Sequence, residues 1–513
     1  MRKLPTHPGV VASREWRVGL TRGLAILFGS LWLASCAVGP DYHRPDVKVE
    51  EKFEGAAQPA PAEPSAATTQ PALYSQEEAV AQFWTQFNDP TLNTLIADAL
   101  QANHDLRIAY ARFTEARAER RLSQFDLAPT VTASGTYSEQ KYANDQGAAL
   151  FGGTLKLYEA SFDAAWELDF FGQIRRNIEA NRAEAQSAEA NLRDAQVVVT
   201  AEVARTYFEL RGQQSQLDVA RRNAENQRAT LDLTKARLDA GRGTELDTSR
   251  AQAQLSATLA TIGPLEAAVA RSIHRLSVLT GREPTALTTS LSSPQDLPPL
   301  PQVIAVGNPA DLLRRRPDIQ ASERALAADT ARIGVAVADL FPHVTFTGSV
   351  GYAASDAGSL GDRGTGTRLV APGISWAAFD IGRVRARIAG AHARADASLA
   401  QYEKTVLSAL EETEDALVTH ARARERLEHV ADSARASAVA ARLARARFDG
   451  GIVDFLEVLD SERTQLEAED ALAQSRTEAA TSLIAVYKAL GGGWQQAPLP
   501  RMTPVATATP TSR

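Results

Sequence analysis

Few residues in this chain are of a type and setting that could do chemistry. Among 513 residues there is a single cysteine, Cys36, which ends the run Leu33-Ala34-Ser35-Cys36. A lone thiol cannot close a disulfide within the chain, even in an oxidising compartment. It can act as a nucleophile, and the preceding sequence says towards what. Arg2, Lys3, Arg14, Arg17 and Arg22 form a basic leader, and Leu24 to Leu33 an apolar run too short for a permanent membrane helix. Basic leader, apolar run and small residues before the cysteine make a secretory signal over 1–35 that ends in a lipobox. This predicts cleavage before Cys36 and acylation of its sulfur. Ala37 follows, not the aspartate of an inner-membrane retention signal, so the expected destination is the outer membrane.

No second chemistry accompanies the first. Gly147 to Thr154 has phosphate-loop spacing but no lysine before Thr154, and no strand–loop–helix setting. The eight histidines are scattered without a pair at i,i+4. His392 and His420 fall in long helical runs and are expected to be solvated. The expectation is a chain that is not an enzyme and holds no metal or cofactor. Its formal charge is −7, and loss of a leader with five basic residues and one acidic makes it more acidic still. An acidic chain without a basic stripe excludes nucleic acid as a partner.

The elements that carry these residues come in two copies. Asp126-Leu127-Ala128-Pro129-Thr130-Val131-Thr132 returns as Asp339-Leu340-Phe341-Pro342-His343-Val344-Thr345. Trp166, Gly172, Arg175 and Ile178 return as Trp376, Gly382, Arg385 and Ile388, and Ala236–Gly241 as Ala446–Gly451. A unit of about 210 residues is a duplicated domain-scale element, not a solenoid repeat. The copies are expected over 81–283 and 310–490. A Pro-, Ala-, Thr- and Gln-rich anchor and tether precedes them (36–80), a similar linker separates them (284–309), and a disordered tail follows (491–513).

Within each copy the period switches. Asp89–Ser123, Gly172–Ala240, Ile381–Phe448 and Asp454–Leu490 are rich in Ala, Arg, Glu, Gln and Leu with no proline past Pro90 at the start of the first, which predicts bundle or coiled-coil helices. Leu399, Tyr402, Val406 and Ala409 follow the spacing of an a/d seam. A helix of some 65 residues is about 100 Å long. Between the helices, strands are expected over 129–142 and 155–168, then 342–352 and 367–379. Val131, Ala133, Gly135 and Tyr137 alternate with threonine and serine, as do Val344, Phe346, Gly348 and Val350. One apolar and one small polar face suit lipid on one side and water on the other. Four strands cannot close a barrel, and open edges are not tolerated in lipid. Three chains give twelve strands and a water-filled lumen. The expected fold class is therefore an α+β membrane protein: a homotrimer with four strands per chain, and an internal duplication.

These features resemble the TolC-like outer-membrane factors of tripartite export systems, and most closely their lipoprotein branch of drug-efflux channels (NodT/OprM-like). The resemblance rests on Cys36 followed by Gly39-Pro40-Asp41-Tyr42 and Arg44-Pro45, then Phe83-Trp84 and Phe87 with Asp89-Pro90. Trp166-Glu167-Leu168-Asp169-Phe170-Phe171-Gly172 and Asp311-Leu312-Leu313-Arg314-Arg315-Arg316-Pro317-Asp318-Ile319 complete it, so nearly the whole chain is covered. It implies a trimeric barrel in outer-membrane lipid continued by an α-helical coiled-coil tube in the periplasm. It also implies cargo delivered by an inner-membrane pump through a periplasmic adaptor protein. The family's gate lies at the helix turns and, by resemblance, falls on Asp247, Phe448, Glu457 and Asp460. Rings of such carboxylates would hold cations and repel anions; the alternative is that they are solvated coiled-coil charges. Phe448 lacks the hydroxyl of an aromatic polar latch, and Val453 stands where some members have its basic partner. The expected function is a passive conduit for small molecules. A conduit for type I protein secretion and a periplasmic scaffold without a pore remain the alternatives.

The lipobox generates a direct test. Mass spectrometry of the mature N-terminus should find a chain that starts at Cys36 and carries acyl groups. Each buried methylene adds ~0.8 kcal/mol of membrane affinity. An unmodified Cys36, or a start elsewhere, is the opposite outcome.

Overall fold

A computed structural model describes residues 37–56, 73–77, 80–141, 154–495, 497 and 500. The signal over 1–35, Cys36, most of the tether, loop residues 142–153 and the tail from 501 lie outside the described residues. In the first half of the chain stand β1 (Tyr74–Ser75), α1 (Pro90–Ala102), α2 (His104–Phe125), β2 (Thr130–Lys141), β3 (Thr154–Leu168), α3 (Gln173–Asp239) and α4 (Glu245–Leu279). After α5 (Thr288–Leu291) and β4 (Ile304–Ala305) the order returns as α6 (Pro309–Arg315), α7 (Pro317–Ala338), β5 (His343–Ala354), β6 (Gly366–Ser375), α8 (Ile381–Asp449) and α9 (Phe455–Ala489). The copies match in length: α3 and α8 have 67 and 69 residues, and α4 and α9 have 35 each. They match in detail too. The indole of Trp166 donates to the Leu127 carbonyl at 3.0 Å, and that of Trp376 to the Leu340 carbonyl at 2.9 Å. In each copy an interfacial aromatic thus closes the junction where helix becomes strand.

The described residues divide into two units, those within 37–45, 115–185 and 324–400 in one and the others in the second. The first holds one antiparallel sheet in the order β2-β3-β5-β6. Its register aligns Val131, Ala164, Gly348 and Val370 across all four strands, and Ala133, Phe162, Val350 and Arg368 in a neighbouring row. Opposed residues of an antiparallel sheet share a face, and neighbours along a strand alternate. One face therefore gathers Val131, Phe162, Trp166, Val344, Phe346, Val350 and Ile374. The other gathers Thr130, Thr132, Ser134, Ser161, Asp163, Thr345 and Thr347. On the polar face the Asp163 carboxylate accepts from Ser134 and Ser161 at 2.7 and 2.9 Å. Val131, Phe162, Val350, Val370 and Ile374 are all exposed, more apolar surface than water tolerates in one patch. No described helix is long and apolar enough to cross a membrane.

In the same unit the first described residues are held against the start of α3. Arg176, 6% exposed, donates to the carbonyls of Val38 and Gly39 at 3.1 and 3.3 Å and to the Asp41 carboxylate at 2.8 Å. The Val38 amide donates to the Phe171 carbonyl at 3.1 Å. Gly172 is needed there: its φ is +82°, and a Cβ would come within 2.7 Å of the Ala37 Cα.

The second unit has its own core, in which Phe83, Trp84, Phe87 and the α1 leucines pack on Tyr207 and Phe208 of α3 and Leu483 and Tyr487 of α9. Four sequence expectations are corrected here. The run from Asp89 is two helices, because Asn103 leaves the helical region. Its side chain accepts from the Asp105 and Leu106 amides and donates to the Leu279 carbonyl at 3.0 Å. The linker at 284–309 is not a plain tether: it forms α5 and β4, and β4 pairs in parallel with β1. The tail is ordered at its start, since Gly491–Gly493 are buried and Trp494 donates to the Arg315 carbonyl at 3.1 Å. His420 is not solvated but fully buried; its Nδ1 lies 3.0 Å from the Ser482 hydroxyl, and burial holds its pKa down to about 4.

The two faces of the sheet should tolerate charge differently. Phe346→Lys should weaken assembly by about 2–4 kcal/mol per chain if it lies near mid-membrane, whereas Thr347→Lys should be tolerated. Heat resistance of the detergent-solubilised oligomer on gels reads the difference. Equal tolerance would show that the faces are misassigned.

Candidate gate at the helix turns

The second unit also contains both turns between long helices, and the two are built alike. After α3 the Gly241 amide donates to the Leu238 carbonyl and the Arg242 amide to that of Arg237; after α8 the Gly451 and Ile452 amides donate likewise to Phe448 and Arg447. This is the Schellman pattern, which needs a left-handed residue, and Gly241 and Gly451 supply it with φ of +69° and +72°. Each following helix is capped by a side chain. Thr244 accepts from the Asp247 amide at 3.2 Å, and Asp454 from the Glu457 amide at 3.2 Å.

The residues expected at the gate then part company. The carboxylate of Asp247 turns back to accept from the Thr244 amide and hydroxyl, at 3.2 and 2.7 Å, completing a reciprocal capping box. Glu457 occupies the same position in the second copy but reaches the Arg447 guanidinium at 3.2 Å. Asp460 pairs with Arg463 at 2.8 Å. The carboxylates of Glu457 and Asp460 are 46% and 66% exposed, so their ion pairs are each worth no more than about 1 kcal/mol. They remain accessible as charges, though not as bare ones.

Phe448 is 6% exposed, the opposite of a free latch. Its ring centroid lies 5.5 Å from that of Phe455, and the Arg237 guanidinium stands over the ring at 3.9 Å from its centroid. Leu231, Leu255, Val458 and the partly buried Val453 close the cluster, so apolar and cation–π packing stands where a hydroxyl and a basic partner are lacking. Further from the turns, buried Glu462 takes hydrogen bonds from Arg445 and Thr230, which joins α3, α8 and α9, and burial pushes its pKa up. Sequence reasoning missed Arg237, Arg447 and Arg463. Only Arg463 had a local signal, its i+3 spacing from Asp460. Leu246, Ile452 and Leu456 are exposed around the turns.

A sheet with one apolar face and two bare edges, in a chain of very long paired helices, defines an oligomeric membrane channel of the barrel type. The sequence matches the outer membrane efflux protein family over residues 95–282 and 308–492, and the chain belongs to that family. It is 32% identical over 477 residues to the probable efflux pump outer membrane protein TtgC of Pseudomonas putida, covering 92% of this chain and 96% of that one. It is 29% identical over 472 residues to the cation efflux system protein CusC of Escherichia coli, covering 91% and 98%. The solved outer-membrane channel OprN superposes with a TM-score of 0.81 at 42% identity, over 90% of this chain and all of that one. The chain is thus an outer-membrane efflux channel, a homotrimer with its barrel in the outer membrane and its helices in the periplasm.

Truncating the central ring tests the packing. Phe448→Ala should cost about 3–5 kcal/mol of local stability and speed proteolytic cleavage between Asp449 and Asp454. Phe448→Leu, which keeps an apolar side chain of closer size in the cluster, should lose less than Phe448→Ala.

Proposed function

We propose that this channel is a passive conduit for small molecules handed on by an inner-membrane pump through a periplasmic adaptor, and that it performs no catalysis itself. The two-faced sheet with bare edges carries this reading: it supplies a lipid-facing wall and a polar lumen. The names of the relatives, which speak of antibiotic, toluene and cation efflux, favour small cargo over secreted protein. The gate is formed where α3 meets α4 and α8 meets α9. Phe448 and Arg237 hold the second turn shut against its neighbours, and Glu457 and Asp460 from three chains line the constriction. Asp247 serves by fastening its own turn. Cys36 carries the lipid, in keeping with the firm seating of Ala37 beside the junction of β3 and α3.

Like charges around a narrow, poorly polarisable lumen interact more strongly than the ~1 kcal/mol they would show at 4 Å in water. The bare trimer in a planar bilayer should therefore conduct little, prefer cations and be blocked by multivalent ones. Glu457→Gln with Asp460→Asn should diminish both the preference and the block. A double variant indistinguishable from wild type would place these carboxylates outside the pore.

A further inference from the structure

The apolar face of the sheet carries cations that a hydrocarbon interior would exclude. The register sets Arg368 opposite Val350, Lys156 opposite Glu139 and Lys141 opposite Thr154, all on the face of Val131, Phe162 and Val350. A lipid-facing Lys or Arg is costly at mid-membrane and nearly free at the interface. The chain shows which interface this is. At one end of the sheet the strands run into α2, α3, α7 and α8; at the other are the two hairpin ends. Lys141 is the last residue of β2, and Lys156 and Arg368 lie two residues into β3 and β6. Tyr137 and Tyr158, with rings 4.7 Å apart, and Tyr352 share this face at the same end, as aromatic residues do at a membrane boundary. Since the helices are periplasmic, these cations belong to the outer leaflet.

They are available for a ligand. Among the described residues neither Arg368 nor Lys141 has an ion-pair partner, and Lys156 has only Glu139 at 3.9 Å with both half exposed. Arg368 also borders a depression of about 600 Å³, whose walls include Phe162, Val350 and Tyr352 above Ala133 and Ala160. A guanidinium beside an apolar groove at a headgroup level fits a phosphate with an acyl chain attached. Topology adds a second cation. Arg368 is on β6 and Lys141 on β2, the two edges that meet when three sheets close a ring.

We propose that Arg368, joined at the subunit seam by Lys141 and flanked by Lys156, binds the phosphate of an outer-leaflet lipid, whose acyl chain lies in the groove between Phe162 and Tyr352. The site rests on the barrel reading above, and the test separates the two. Delipidated trimer is titrated in detergent with bisphosphorylated lipid A, with the same lipid after dephosphorylation, and with inorganic phosphate, and bound lipid is counted by native mass spectrometry. Wild type should bind the bisphosphorylated lipid at least tenfold tighter than the dephosphorylated one, and binding should weaken as salt rises. Arg368→Gln with Lys141→Gln and Lys156→Gln should abolish that preference, while Arg368→Lys alone should keep most of it. Millimolar inorganic phosphate should not compete. A stable trimer without preference for phosphate, a preference unchanged in the triple variant, or displacement by free phosphate each overturns the lipid site. If the triple variant fails to assemble, the salt and dephosphorylation arms on wild type still decide. A chain that forms no trimer at all overturns the barrel instead.

Discussion

Every backbone N–H and C=O that enters lipid must be paired, because no water is there to take its place. A four-stranded antiparallel sheet satisfies this within itself except along its two outer strands. In this chain those are β2, from the first copy, and β6, from the second. Much else follows from pairing them with further copies. The oligomer is closed by backbone hydrogen bonds rather than by side-chain fit alone. The outer face is apolar along the middle of all four strands, with its charged side chains gathered at the hairpin end, and small polar side chains line the other face, as with Asp163 and its two serine donors. The duplication belongs to the same constraint. One hairpin followed by its helix pair is the repeating module, and two modules per chain reach the ring with three chains.

The helices obey a looser rule, since water or neighbouring helices can satisfy their surfaces. Their faces are heavy in alanine, and the long stretches are secured at particular points by polar contacts. Arg316 is one such point: its guanidinium joins Asp318, Glu412 and the Ala489 carbonyl, with Lys488 also on Glu412. Asp194 stands close to this network, and burial together with Asp318 raises its pKa to about 6. A buried ion network contributes less net stability than its Coulomb energy suggests, because each charge has been desolvated. What it gives is register. Helices with small, repetitive side chains could slide by a turn at little cost, and a fixed guanidinium with three acceptors prevents that.

The fold was legible wherever it is written in local periodicity. Alternation placed the two faces of the sheet correctly, from Val131 to Val350, because strand geometry forces period two. The family and the channel were legible from motifs at matched offsets. What was not legible depends on partners distant in the chain. Asn103 caps the next helix through two nearby amides, but what fixes its side chain is the Leu279 carbonyl, 176 residues on, which a helical pattern does not reveal. His420 looks like any polar residue on a long helix, yet Ser482 and the packing of α9 bury it. The linker between the copies acquires β4 only through hydrogen bonds to residues 73–75. At the candidate gate the partner of Glu457 was not legible, since Arg447 lies ten residues away across a turn.

Duplication followed by divergence explains why the two turns are not equivalent. Both begin with the same Schellman glycine and both end with a capping side chain, so the backbone of each is settled locally. In the first, Asp247 turns its carboxylate back onto its own cap, which ties the start of α4. In the second, the matching Glu457 leaves its cap to Asp454 alone and reaches out to Arg447 through a contact half open to solvent. The arginine that stands over Phe448 comes from the first copy, Arg237 on α3, whereas Arg447 at the matching position of the second copy holds Glu457. The second turn is therefore held by longer-range contacts: one exposed ion pair, one cation–π contact and a small apolar cluster. Each can be exchanged without unfolding a helix. The proposed gate has to be closed by interactions a partner can replace, and of the two turns the one at Asp449–Asp454 fits that proposal better.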